Sequence, residues 1–366
     1  MNRRQFFASA ASAAAVAGCF TCGMRGAFAQ GSPSAPRRRV EVDGQRVTVI
    51  DVHCHCVVPE ALNVLKGTSM EAGFTTTLKS EFNNPSLEKR IAAMDAQGID
   101  IEAMSVNAFW YGADRETARR LIDVQNEGLS KMCKASDGRL IAFATVALQF
   151  PDLAAEQLEH ATKHLGLRGA AIGGTVAGLE LSDPKFDVFW AKAEELGALL
   201  FLHPQNSSNA TGVAARVKGN GYLDNTIGNP LETTIALSHM IFEGVFDRFP
   251  NLKICGAHGG GYLASYADRS DAVCVTFPDR CTPNLPKKPP TEYLKSNIYV
   301  DSLVFTPEAL RHLAAVCGPK QIMVGTDYGF PWVKDPVGHV LSTASLSSSD
   351  KIAILSKNAA QALKLG

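Results

Sequence analysis

The chain has 366 residues, 46% of them hydrophobic, with 36 basic side chains set against 36 acidic ones. Balanced charge leaves no basis for a nucleic-acid partner, and the length suffices to bury a large core.

At the N-terminus, Asn2-Arg3-Arg4-Gln5-Phe6-Phe7 precedes a small-residue apolar stretch over 8–20 and then Ala27-Phe28-Ala29. This pattern is that of a twin-arginine signal peptide over 1–29, cleaved after Ala29. The apolar run is well short of the ~20 residues needed to cross a bilayer, so no membrane span is expected. Val16-Ala17-Gly18-Cys19 also resembles a lipobox, and the alternative is a chain anchored by lipid at Cys19. Either way the expected location is the periplasm, and the twin-arginine export machinery is an expected partner. That route carries folded proteins, which suits an enzyme that acquires a metal before export. Cleavage would remove Arg3, Arg4 and Arg25 and no acid, leaving 33 basic against 36 acidic side chains. Residues 30–366 read as a single catalytic domain.

Along that domain, short apolar and β-branched runs at 47–52, 101–106, 140–146, 169–172, 198–202, 253–256, 298–300 and 322–325 read as strands. Most are followed by a segment with helical spacing, and helices are expected near 86–97, 114–135, 151–165, 186–196, 231–249, 307–316 and 350–363. Pro85-Ser86 and Pro151-Asp152 supply helix starts, and Gln97-Gly98 and Leu165-Gly166 supply stops. Eight strands with helical crossovers favour an α/β fold of the closed (β/α)8 TIM-barrel type. No Gly-x-Gly-x-x-Gly follows the first strand, so a dinucleotide-binding open sheet loses its main support. Two excursions are longer than ordinary connections: about 57–85, expected as a lid or a dimer contact, and about 274–296, expected as a surface loop.

Of the nine cysteines, seven lie beyond the signal, an odd number at irregular spacing. Buried free thiols are the expectation for Cys54, Cys56 and Cys255. A Cys274 to Cys281 disulfide is the less favoured alternative to free thiols there.

Polar residues that carry chemistry fall at the ends of the strands. His53 and His55 in Asp51-Val52-His53-Cys54-His55 are two apart and point the same way, with Cys54 opposite. Phe201-Leu202-His203-Pro204 ends the fifth strand, Cys255-Gly256-Ala257-His258 the sixth and Val324-Gly325-Thr326-Asp327 the eighth. Barrel active sites are built at this C-terminal face from several strands. Imidazole with carboxylate suits one divalent ion, zinc as the first choice and manganese as the alternative. The three glycines after His258 lack the Lys-Ser/Thr of a P-loop and read as a close approach of backbone to the metal site and substrate.

Taken in order, seven motifs resemble one branch of the amidohydrolase superfamily. They are His53-Cys54-His55, Met94-Asp95-Ala96-Gln97-Gly98, His203-Pro204, Phe249-Pro250-Asn251-Leu252-Lys253, His258-Gly259-Gly260-Gly261, Tyr299-Val300-Asp301-Ser302 and Gly325-Thr326-Asp327-Tyr328. The branch is the one that includes aminocarboxymuconate-semialdehyde decarboxylase and the γ-resorcylate-type aromatic decarboxylases. The resemblance implies that His53, His55, His203 and Asp327 hold the metal, with Asp327 thereby part of the catalytic centre. It implies that His258 is the acid/base beside metal-bound water, the alternative being a fifth ligand or a structural histidine. Arg269 matches the family's active-site arginine and could grip a substrate carboxylate; its alternative is an ion pair with Asp268 or Asp271. A homodimer is also implied.

The chain departs from the muconate enzyme at three places. The loop after the first strand has Lys66 and Lys79 but no arginine, Phe277 stands where the partner-derived arginine is expected, and Gln205 replaces the aromatic residue after His-Pro. Losing such donors should disfavour a doubly charged acid. The expected activity is therefore metal-dependent decarboxylation of a small aromatic or unsaturated carboxylic acid, with hydrolysis of a lactone, ester or amide as the alternative.

Overall fold

The computed structural model describes residues 37–205, 216–281, 283, 285–330 and 332–366. The expected signal peptide, its cleavage site and Cys19 lie outside the described residues. Eight parallel strands form the centre: β1 (Ile50–His55), β2 (Ile101–Ser105), β3 (Leu140–Ala142), β4 (Gly169–Ile172), β5 (Leu199–Leu202), β6 (Lys253–Gly256), β7 (Ile298–Asp301) and β8 (Ile322–Met323). They pair in chain order as one run of three and one of five. Parallel bridges Ala144 to Ala170 and Asp51 to Val324 join the two runs at both edges. Backbone hydrogen bonds make the joints, Ala144 N donating to Gly169 O at 2.8 Å and Val52 N to Val324 O at 2.9 Å. Sheet closure of this kind is the (β/α)8 barrel expected from the alternating pattern.

Helices take the expected places, and their ends are chemically marked. Ser86 accepts from Lys89 N, Asp114 from Glu116 N and Thr117 N, and Thr306 from Ala309 N, each satisfying amides that a helix start leaves unpaired. Gly98 and Gly197 close two helices in the left-handed conformation, φ 79° and 55°. The expected helix over 231–249 is two, Asn229–Phe242 and Val245–Arg248, parted at Gly244, where φ is 74°. Pro336–Ser342 is a helix the spacing did not indicate.

Apolar side chains fill two layers. An outer core packs strand faces such as Met104, Leu200, Leu202 and Ile254 against helix residues such as Leu121, Leu158 and Trp190. An inner core of Ile50, Val52, Ala103, Phe143, Ala171, Phe201, Cys255 and Met323 plugs the barrel, so it is a packed interior and not a pore. Asn126 on the helix Arg115–Ala135 stitches the layers, donating to Thr145 O at 3.0 Å and accepting from Thr145 N at 2.8 Å.

The excursion after β1 contains helices Leu62–Leu65 and Glu71–Lys79. The Pro- and Lys-rich excursion carries a short helix, Pro290–Leu294, and a disulfide between Cys274 and Cys281. That disulfide corrects the expectation of free thiols at those positions, since the fold brings the two Cα atoms to 5.6 Å. Cys54, Cys56 and Cys255 are buried free thiols as expected. Among the described residues no helix is long and apolar enough to cross a membrane.

Candidate metal centre and its cavity

The chemistry of the inward-facing positions changes with height in the barrel. On β5, Leu199 and Phe201 belong to the inner core and His203 follows two residues later; on β7, Tyr299 packs against that core and Asp301 follows. Alternation therefore lifts each polar side chain above the apolar plug. β1 needs an extra device. Ile50 and Val52 face the inner core, yet the His53 ring also lies against Phe201, centroids 5.0 Å apart. A register shift between Asp51 and Cys54 makes both possible by changing the phase of the strand. The strand runs on to His55, so both histidines are held within it and not beyond its end.

One ligand-capable atom from each of His53, His203, His258 and Asp327 lies within 4.8 Å of the others. His55 joins them, its Nε2 3.2 Å from His53 Nε2 and 2.8 Å from Asp327 Oδ1. The structure thus assembles all four expected ligands with His258. Three of the rings are oriented through Nδ1. His53 Nδ1 meets Asp301 Oδ2 at 2.6 Å, His203 Nδ1 meets Pro204 O at 2.8 Å, and His55 Nδ1 lies 3.4 Å from Ser105 Oγ. Holding Nδ1 in this way aims Nε2 at the common centre, the arrangement that ligating histidines share. His258 differs: its Nδ1 is buried and has no hydrogen-bond partner.

The electrostatics suit a cation. Burial pushes the His203 pKa well below the ordinary value, assisted by His55 and His53, and brings His258 down to about 4 with His53 as the second cause. Both rings are therefore neutral near pH 7, the state that binds metal. Burial also works to raise Asp327, but His53 outweighs it and holds the carboxylate well below its ordinary range. At His53 burial is likewise overruled, by Asp327 and Asp301, and the pKa is pushed up to about 10. Imidazoles converging on the Asp327 carboxylate are completed by a divalent ion, and the donor set fits one.

Asp301, quoted in a motif but given no role by the sequence, is the hub of the supporting shell. Besides His53 it accepts from His258 N and Gly259 N, each at 2.8 Å, and from Leu303 N at 3.0 Å. It thereby holds His258 in a left-handed conformation, φ 56° and ψ 48°, that costs a non-glycine residue energy. Asp51 does similar work lower down, accepting from His53 N at 2.9 Å and from the Thr326 hydroxyl at 2.5 Å. Arg90, also missed, is buried below the cluster, pairing with Glu102 at 2.6 Å and donating to His55 O. Its guanidinium lies 4.9 Å from the Tyr328 ring centroid. No signal in the sequence distinguishes Arg90 from a surface arginine of an amphipathic helix.

The glycines after His258 require a correction. A Cβ at Gly259 would stand 2.5 Å from Val304 Cγ1, one at Gly260 2.7 Å from Val300 Cγ1, and one at Gly261 2.2 Å from Pro230 O. Their close approach is to the barrel wall and the helix Asn229–Phe242, not to substrate.

Above the cluster opens a cavity of about 470 Å³. His55, His203, His258 and Asp327 form its floor, while Met70, Phe74 and Asn83 from the excursion after β1 form one wall, joined by Phe109 and Phe330. The first excursion therefore walls the site. Gln205 lines the cavity too, its N donating to Glu232 Oε1 at 2.9 Å and its Nε2 to Ala108 O at 2.7 Å. Arg269 is not among the lining residues; it is exposed on the helix Ala267–Thr276. Within one chain the structure does not bring it to the cluster. Its alternative partner Asp271 accepts instead from Thr291, at 2.9 Å from N and 2.7 Å from Oγ1.

Comparison with known proteins supports the same assignment. Residues 50–365 match the Amidohydrolase family. The chain is 31% identical over 319 residues to a 2-amino-3-carboxymuconate-6-semialdehyde decarboxylase of Dictyostelium discoideum, covering 86% of this chain and 84% of that protein. It is 30% identical over 335 residues to a γ-resorcylate decarboxylase of Rhodococcus jostii, covering 85% and 97%. The crystal structure of a 5-carboxyvanillate decarboxylase from Novosphingobium aromaticivorans, complexed with manganese and 4-hydroxy-3-methoxy-5-nitrobenzoic acid, superposes with a TM-score of 0.74. Its identity is 27%, over 87% of this chain and 96% of that one. With a closed barrel, histidines and an aspartate converging at its C-terminal mouth and a match across nearly the whole described barrel, the chain belongs to the amidohydrolase family.

Proposed function

We propose that this protein is a metal-dependent carbon–carbon lyase that removes CO2 from a small aromatic or unsaturated carboxylic acid. The observation that carries the reading is the contrast among the histidines. His53, His55 and His203 each have Nδ1 held by an oxygen, whereas His258 shares their cluster with Nδ1 free. Three rings are built to ligate and the fourth to handle a proton. A divalent ion held by His53, His55, His203 and Asp327 would supply positive charge to polarise the substrate carboxylate and its neighbouring hydroxyl. His258 then serves as acid/base at the floor of the cavity. The bond from the ring carbon to the carboxyl carbon breaks, its electron pair remains on the ring carbon, and that carbon takes a proton as CO2 leaves. A ring that is neutral near pH 7 relays this proton and is restored from solvent.

The test is CO2 release from a panel of hydroxybenzoates by metal-loaded protein, with lactones and esters run in parallel. His258→Ala should keep its metal and lose about 10²–10⁴-fold in rate. Loss of the metal instead would make His258 a ligand, and turnover of the lactones alone would make the enzyme a hydrolase. The same ligand set accepts zinc, our first choice, or manganese; the ion that co-purifies decides between them.

Two further readings go with this one. Val275 is 84% exposed and Phe277 59%, which supports a homodimer that buries this apolar surface; the mass in solution tests it. The twin-arginine pattern over 1–29, together with a disulfide that needs an oxidising compartment, supports export. The mature periplasmic protein should begin at Gln30 and show no free thiol at 274 or 281. A lipidated Cys19 at its start would favour the anchored form.

A further inference from the structure

Among the described residues that line the cavity there is no lysine or arginine. Apart from its histidines, the only charged lining residue among those described is Asp327. Among the described lining residues a substrate carboxylate thus has one favourable place, at the metal centre. A second carboxylate elsewhere in the cavity would be desolvated without a partner.

What the walls offer instead is carboxamides. Asn107, just past β2, and Asn229, at the start of the helix Asn229–Phe242, both line the cavity. In each the Oδ1 atom is closed off from solvent and has no hydrogen-bond partner among the described residues. Asn229 is only 7% exposed. Gln205 makes the contrast, since its amide nitrogen is already committed to Ala108 O. A buried acceptor without a donor is destabilising, and a ligand that donates to it removes that cost. The χ2 torsion of asparagine is soft, so either oxygen can turn onto a ligand hydroxyl without leaving its rotamer.

We propose that Asn107 and Asn229 determine specificity, reading uncharged hydroxyl donors on a substrate that carries one carboxylate. The assignment rests on the decarboxylase reading of the same cavity and adds to it what the far side of the ring must present. A hydroxyl both donates and accepts and so satisfies a carboxamide, while Phe74, Phe109 and Phe330 pack on the ring.

The experiment is titration calorimetry of the metal-loaded full chain with benzoate, each of its hydroxy and dihydroxy derivatives, and benzene-1,3-dicarboxylate. The best hydroxybenzoate should bind at least about tenfold more tightly than benzoate, as two neutral hydrogen bonds allow. Asn107→Leu and Asn229→Leu should each cut that ratio to about threefold or less, with metal content and circular dichroism as controls of folding. Asn107→Asp and Asn229→Asp keep the acceptor and should preserve the ratio; should a leucine variant fail to fold, the other position decides. Unchanged ratios in the leucine variants overturn the proposal. So does a dicarboxylate that binds more tightly than every hydroxybenzoate, which would mean that a cation reaches the cavity from a second copy. If an asparagine-dependent hydroxyl preference is found but no acid in the panel loses CO2, the specificity assignment stands and decarboxylation falls. If CO2 is released with a preference indifferent to both asparagines, only the specificity assignment falls. If no acid binds, both fall.

Discussion

Asp301 supports the metal centre through both of its carboxylate oxygens. One carboxylate fixes the ring of His53, on β1, and the backbone of His258 and Gly259, just past β6, with three contacts of 2.6–2.8 Å. Second contacts of this kind set the orientation and basicity of a ligand, and losing one typically costs 10–100-fold in metal affinity. Asp301→Asn is isosteric but can no longer accept at both oxygens. It should lower metal affinity by about that factor, measured by competition with a chelator. An unchanged affinity would show that packing alone aims His53.

Among the elements, β1 is tied to its neighbours by a pair that the fold has fully buried. The side chains of Arg90 and Glu102 are 3% and 1% exposed, and the arginine also reaches the carbonyl of His55 and the ring of Tyr328. Removing one member of such a pair strands the other charge in the interior and costs about 3–5 kcal/mol. Arg90→Met should lose that much stability in urea unfolding, and because the end of β1 loosens, metal affinity should fall with it. A loss below about 1 kcal/mol would mean that Glu102 takes up a proton when its partner is gone.

For the whole molecule, the metal centre joins β1, β5, β6 and the segment after β8, strands far apart in the chain. An ion bound there stabilises only the closed barrel. At a hundredfold excess over its dissociation constant it contributes about 2.7 kcal/mol. For a domain of this size, stripping the metal should lower the unfolding midpoint by about 3–5 °C, read by scanning calorimetry with and without chelator. No shift would mean that the imidazole cluster does not hold an ion. The exposed apolar side chains Val275 and Phe277 bear on assembly, and a dimer would add a concentration dependence to the same midpoint.

Much of this was legible in the residues themselves. The periods of two and of three to four mark eight strands and their helices, because burial on one face of each element imposes that alternation whatever the rest of the fold does. The placement of His53, His55, His203 and Asp327 at strand ends is local information, and a parallel barrel turns every such end toward one mouth. What only the tertiary structure decided depends on contacts between residues distant in sequence. The register shift in β1 arises from its pairing with β2. Arg90 reads as the polar face of a helix until that helix meets Glu102, 12 residues away, and Asp301 reads as a strand end until His53, 248 residues away, turns toward it. The disulfide required a loop that brings Cys274 to Cys281, and the exposed position of Arg269 followed from how its helix lies on the barrel. Hydrophobic pattern encodes which face is buried and carries no information on which polar group waits there, so the strand-end positions of the candidate ligands were legible in the sequence and the groups that support them were not.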